Sequence, residues 1–270
     1  MNHEISQYFS GEKLYGDDFS QTEIEKWYRD EAEGYANLSA FYAPVTEPSS
    51  YDCHELNKYY GFKYLDRDKY NNVLGFGSAY GEEFLPIIEK IDRLTILDPS
   101  DRFVREKVYG VPTKYVKPSS TGVLPFPKEN FDLITCLGVL HHIPNVTFVT
   151  SEIYRCLQKK GIALIREPIF SMGDWRKPRL GLTKRERGLP IKYIDEMFKK
   201  CGFKVMNRSL CMFPLIPKIC NLLGIAAYNN KILTKFDRLA SIISAKNARY
   251  HRTNIWQKLA PSSIYYVLKK

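Results

Sequence analysis

No CxxC pair and no histidine-rich partner spacing occurs in the 270 residues; Cys53, Cys136, Cys156, Cys201, Cys211 and Cys220 stand far apart. That scatter argues against a cysteine-held zinc site and against a disulfide framework, so the chain reads as a cytoplasmic protein with reduced thiols and no metal. Long apolar runs are missing too. The nearest to one, residues 219–228, has Asn221 inside it and falls far short of the roughly 20 residues that span a bilayer. Residues 1–13 hold no apolar stretch flanked by basic residues, so no signal peptide is expected there. Repeats and low-complexity tracts are also absent.

Acidic residues are scarce at one end. Residues 213–270 contain one acid against 10 basic side chains, whereas residues 1–60 contain 12 acids against 4 basic ones, so the overall +10 hides a polarity along the chain. Apolar residues make up 44%, enough for a substantial core.

Helical spacing of Ile24, Trp27, Tyr28, Ala32, Tyr35 and Leu38 predicts an acidic amphipathic helix over residues 21–40, capped by Ser20 or Thr22, and the aromatic stretch 51–69 predicts another. From residue 71 short apolar runs alternate with helical segments, the pattern of βαβ units and a parallel sheet. Strands are expected at 72–75, 93–97, 113–116, 131–136, 162–166, 203–212 and 263–268. Helices are expected at 82–91, at 146–158 ended by Gly161, and at 191–201, with two or three more in 213–258. The fold class is therefore α/β: a seven-stranded, mostly parallel sheet of Rossmann type with helices on both faces. Its parts are a helical cap (1–70), a nucleotide-binding core (71–212), a helical insertion (213–258) and a final core strand (259–270).

The stretch NVLGFGSAYGEE (72–83) runs from a strand through a turn with Gly75, Gly77 and Gly81 into a helix. Such a turn lets backbone N–H groups approach a nucleotide-like ligand. The dinucleotide fingerprint needs glycine at position 80, where this chain has Tyr80, which lowers the nicotinamide reading. The next strand, RLTILD, ends in Asp98, 17 residues after Gly81, where a carboxylate can accept both hydroxyls of a ribose.

These two motifs, with LPFPKENFDLITCLGVLHHI (124–143) and EIYRCLQKKGIALIREP (152–168), resemble in order and spacing the small-molecule branch of the class I S-adenosylmethionine-dependent methyltransferases over residues 20–212. The resemblance implies S-adenosylmethionine as cofactor. It puts Gly75, Gly77, Ala79 and Gly81 in the places of the family's acid and three glycines, so positions 75 and 79 depart from the pattern. It further implies Asp98 on the ribose, Ser120 near the adenine amino group, and Cys136, Leu137 and Gly138 beside the sulfonium. Tyr28 and Tyr35, on a lid helix, would contact the methionine carboxylate. The SMGDWR and WYRDEAEGY segments also resemble bacterial enzymes associated with surface-polysaccharide synthesis.

His141 and His142, after the fourth expected strand, and Glu167, ending the fifth, are candidates for a general base at the carboxyl edge of the sheet. No (D/N/S)PP(Y/F) tetrapeptide stands at 136–139, which moves weight from an amine toward an oxygen or carbon acceptor. The loop 171–188 offers Asp174, Trp175, Arg176, Arg179 and Arg185: arginine forks suit a carboxylate or phosphate and Trp175 a flat sugar face. The expected acceptor is an anionic sugar or glycan; no nucleic-acid partner is expected. The apolar and basic insertion 213–258 closes the acceptor pocket, forms a dimer face, or rests on anionic lipid.

Overall fold

Four-residue runs such as VLGF and LTIL, apolar throughout, fit strands covered on both faces, and that is what they become. The computed structural model describes the backbone of residues 3–41 and 51–270 and the side chains of residues 5–31 and 51–270. Eight strands form one sheet: β1 (Val73–Phe76), β2 (Leu94–Leu97), β3 (Lys107–Val108), β4 (Val111–Val116), β5 (Phe131–Leu137), β6 (Leu157–Pro168), β7 (Lys204–Cys211) and β8 (Ser263–Lys269). Their order is β3-β4-β2-β1-β5-β6-β8-β7. β1 pairs in parallel with β2 and β5, while β8 runs antiparallel between β6 and β7. The chain steps outward from β1 to β4 and then returns to β5 on the other side of β1. That reversal opens a crevice at the carboxyl ends of β1 and β5.

Alternation along the strands divides the core in two. Leu74, Phe76, Ile134, Cys136 and Ile165 face helices α4 (Val146–Cys156) and α5 (Ile191–Cys201), whereas Val73, Ile96, Leu133 and Leu164 face helix α3 (His54–Tyr60) and Ile87. The remaining helices are α1 (His3–Ser10), α2 (Gln21–Phe41), α6 (Leu215–Leu222), α7 (Lys231–Ile243) and α8 (Ile255–Lys258). Ser20 precedes α2 in half of a capping box: Glu23 reaches back to accept from the Ser20 amide at 2.9 Å and hydroxyl at 2.7 Å.

Four expectations need correction. The sheet has eight strands rather than seven, because β3 turns back on β4 as a two-residue hairpin arm. Residues 82–90 form a 3-10 helix, since Pro86 has no N–H for the α ladder. The expected helix at 51–69 is α3 followed by a separate 3-10 turn at 62–64, broken at Gly61. The helix from Val146 stops at Cys156 because Leu157 already pairs with Phe131, and Gly161 lies inside β6 rather than capping the helix.

Candidate active site

The glycine turn after β1 is built around one carboxylate. Asp98 closes β2 and accepts the Ser100 amide at 3.0 Å on Oδ1 and the Ala79 amide at 3.2 Å on Oδ2, while the Tyr115 hydroxyl donates to the Ala79 carbonyl at 3.1 Å. Gly77 and Ala79 take φ of +66° and +45°, and the Gly77 amide donates to the Leu97 carbonyl at 2.8 Å, which closes the turn against β2. Asp98 is 8% exposed, and burial raises its pKa against the pull of the two amides. It lines a cavity of about 420 Å³ together with Ser100, Arg105, Tyr115 and Lys117. Each carboxylate oxygen has a lone pair left for a hydroxyl. At the end of β5 the backbone is bare: a Cβ on Gly138 would meet nothing nearer than His141 Cε1 at 3.8 Å. A carboxylate on a cavity wall beside open backbone fits an adenosine-bearing ligand.

Position 75 cannot hold an acid. A Cβ there would lie 2.5 Å from Ser78 Oγ and 2.9 Å from the Phe84 ring. The buried acid nearest in sequence after the turn is Glu83, 5% exposed, which is hydrogen-bonded to Ser78 and lies 3.5 Å from Thr135 Oγ1. Burial pushes its pKa up to about 7. Sequence reading missed Glu83; the doubled acid in GEE is the signal that was there to be used.

Tyr28 and Ser120 line a second cavity of about 370 Å³ with Glu25 and Arg29, and the Tyr28 hydroxyl donates to Asn145 Oδ1 at 3.3 Å. The Tyr35 side chain lies outside the described residues. Leu137 ends β5 half-buried at the crevice. Cys136 corrects the expectation: alternation turns its thiol away, fully buried, into the core against α4 and α5.

Behind Gly138 stands a buried acid–base cluster. Glu167 accepts the amides of Val139, Leu140 and His141 at 2.9, 2.8 and 3.3 Å, and its Oε2 lies 2.8 Å from His141 Nδ1. His141 Nε2 faces Glu186 at 3.4 Å. Burial alone would lower the His141 pKa, but the two carboxylates outweigh it and hold it at about 9. Both ring nitrogens of His141 and both oxygens of Glu167 are thus engaged within the protein.

His142 differs. Burial lowers its pKa and the charge on His141 lowers it further. Its Nδ1 lies 3.1 Å from Glu31 Oε2, and Glu31 Oε1 accepts the Thr183 hydroxyl at 2.8 Å. The Trp27 indole donates to the His142 carbonyl at 2.8 Å. Buried Arg187 braces the turn, donating to the carbonyls of Tyr15, Leu140, His141, Ile143 and Pro144. Glu31, Glu186 and Arg187 were not expected from sequence. His141, His142 and Glu186 bring ligand-type atoms within 4.8 Å of one another, a set that could hold a divalent cation.

The loop 171–188 is fixed by its own charges. Trp175, expected as an open face, is 5% exposed: it stacks on Tyr15 and Phe9 and donates to the Ser171 carbonyl. Arg179, expected to hold an anion, donates to the carbonyls of Met172, Thr183, Lys184 and Glu186. Arg176 forms a bidentate pair with Asp174, and Arg185 reaches Asp30 on α2 at 2.7 Å. Aromatic and arginine side chains in a polar loop read as exposed; here they pay for an ordered loop with no regular structure.

Comparisons with known proteins agree with this geometry. Residues 74–165, from β1 into β6, match the family described as a methyltransferase domain. No curated protein matches the sequence. Among solved structures, the chain is similar to a protein of Bacillus halodurans described as a methyltransferase (17% identity, TM-score 0.50, covering 76% of this chain and 94% of that one). It is also similar to an S-adenosylmethionine-dependent methyltransferase of Leishmania major (11%, 0.56, covering 90% and 83%) and to the [4+2]-cyclase SpnF (13%, 0.56, covering 93% and 97%). At such identities these structures show the fold alone. The matched span carries the class: the chain is a methyltransferase. Its methyl donor is S-adenosylmethionine, which the Asp98 crevice fits. No helix among the described residues is long and apolar enough to cross a membrane.

Proposed function

We propose that this methyltransferase acts on an oxygen of a sugar or other anionic glycan, with His142 as general base. The observation that carries the reading is the His142–Glu31 pair, an imidazole kept neutral by burial and held at Nδ1 by a carboxylate. An amine or a thiolate needs no such base, whereas a sugar hydroxyl is a poor nucleophile until its proton leaves.

S-adenosylmethionine, when bound, supplies a methyl group already activated as a sulfonium. The chain's own residues do the rest. Asp98 holds the ribose, the turn at Gly77–Ala79 fixes the Asp98 carboxylate through the Ala79 amide, and Tyr28 and Ser120 line the cavity under α2. His142 takes the acceptor's hydroxyl proton, and Glu31 compensates the charge that forms. Such a base contributes about 10²- to 10⁴-fold in rate, and alignment with exclusion of water supplies the larger share. Exposed Arg29, Lys177 and Lys184 on α2 and the 171–188 loop support an anionic acceptor.

A second reading has its own support. With Arg176, Arg179 and Arg185 engaged within the protein, a neutral small molecule such as a quinone or other natural product, methylated at carbon or oxygen, also suits the site. The experiment is transfer of labelled methyl groups from S-adenosylmethionine into fractionated extracts of the source cell. Label recovered as a sugar methyl ether supports the glycan reading, and label in the quinone or RNA fraction overturns it.

A further inference from the structure

Helix α7 is inverted. Its buried positions are polar, Thr234, Asp237 and Ser241, while Ile232, Phe236 and Leu239 point outward, Phe236 at 58% exposure. Two of these are hydrogen-bonded: Asp237 accepts the amides of Met212 and Phe213, and Thr234 Oγ1 donates to the Asn230 carbonyl, while Ser241 Oγ is buried with no partner among the described residues. Helix α7 is thus docked correctly by its polar side, which leaves an apolar side facing out. α6 continues the surface with Leu222 at 87% and Leu223 at 67%, and α8 adds Trp256 at 70%. These elements follow one another in space, α6 and α7 meeting at the 3-10 turn 227–229, α7 and α8 at the turn 245–247. Soluble proteins rarely expose so large a contiguous apolar surface without a partner for it.

Charge selects the occupant. Residues 213–270 hold 10 basic side chains and one acid, and that acid, Asp237, is buried against the sheet edge. Lys218, Lys231 and Lys235 stand exposed beside the apolar positions. Two copies joined through this face would bring like charges together with no acid to offset them. Flexible lysines flanking isoleucine, leucine, phenylalanine and tryptophan match instead an anionic headgroup layer over acyl chains.

We propose that α6, α7 and α8 form a docking face for an anionic lipid surface, on which the protein lies without crossing it. The inference is independent of the acceptor's identity. It is tested on the full chain by co-sedimentation with vesicles of phosphatidylcholine alone or mixed with phosphatidylglycerol. Pelleting is expected with the anionic vesicles only, weakening as salt rises and falling about fivefold for each lysine neutralised in Lys231→Gln and Lys235→Gln. Tryptophan emission reports insertion at Trp256, because Trp27 and Trp175 are buried; a blue shift with anionic vesicles is expected. Phe236→Ser with Ile232→Ser should abolish both signals while S-adenosylmethionine binding, read by calorimetry, stays unchanged, which separates this face from the catalytic reading. Equal pelleting with neutral vesicles, or none with either, overturns the proposal. So does a dimer by light scattering that the same double variant disperses, since a second copy would then cover the face.

Discussion

Asp98→Asn tests the crevice at its centre. The side chain keeps its shape, but one carboxylate oxygen becomes an NH2 that meets either the Ala79 or the Ser100 amide donor to donor. The remaining oxygen must then serve the backbone and one sugar hydroxyl without a charge. A hydrogen bond to a charged group contributes about 1.5–3 kcal/mol. Losing one such contact to the ribose and weakening the other costs about 2–4 kcal/mol, or roughly 30- to 700-fold in Kd for S-adenosylmethionine. Folding should change far less, because neutral asparagine removes the burial cost that raises the Asp98 pKa and so offsets the poorer backbone contacts. Calorimetry gives Kd directly. A melting scan adds the linked effect, since ligand at 100 times Kd stabilises by about 2.7 kcal/mol and the variant at the same concentration should lose most of that. A folded Asp98→Asn protein with Kd within about threefold of the parent would refute the assignment, and with it the mode of cofactor binding.

Other outcomes follow from single contacts. His142→Asn should lower the rate of methyl transfer by about 10²- to 10⁴-fold with unchanged S-adenosylmethionine affinity; a normal rate in the labelled-extract assay removes His142 as the base. Arg187→Met removes a side-chain donor from five backbone carbonyls, of which those of Leu140, His141 and Pro144 keep a backbone N–H, at about 1–3 kcal/mol for each of the other two that stays buried, so the variant should melt well below the parent by circular dichroism, and a cooperative melt near the parent's would contradict this. Ala79→Gly relieves a left-handed alanine at about 1–2 kcal/mol and adds chain entropy at about 0.4–1, so a melting point equal to or slightly above the parent's is expected, and a clear drop counts against strain at φ +45°. Glu83 has its folded pKa raised from 4.5 to about 7, so its contribution to stability is full below the unfolded value and is lost as pH rises through 7. Glu83→Gln should therefore melt close to the parent at about pH 4.5 and above it at about pH 8, by at most roughly 3 kcal/mol; parallel melting curves across that range would show that Glu83 is not held protonated.

The sheet was legible because each strand carries its own signal. The run RLTILD ends in an acid where the chain leaves a buried strand, and Asp98 stands on the wall of the cavity. The helix Ile191–Cys201 was legible to the residue from its apolar period and the glycine that follows. The acid–base cluster was only half legible. His141, His142 and Glu167 lie at strand ends, but their partners Glu31 and Glu186 come from a helix and a loop far away in sequence, and no local pattern marks a carboxylate that will be buried by another segment. The same limit explains Trp175 and Arg179, whose neighbours are set by how the loop folds back and by the first 20 residues. Pro86 did carry its warning, as a proline inside an apolar helical pattern.

Helix α2 has two duties that cannot be separated. It roofs the cavity with Tyr28 and Arg29, and three residues on from Tyr28 it supplies the Glu31 that orients His142, with Trp27 bonded to the carbonyl of the same histidine. A substitution that displaces this segment is therefore felt in two places at once, at the wall of the cavity and at the ring of His142.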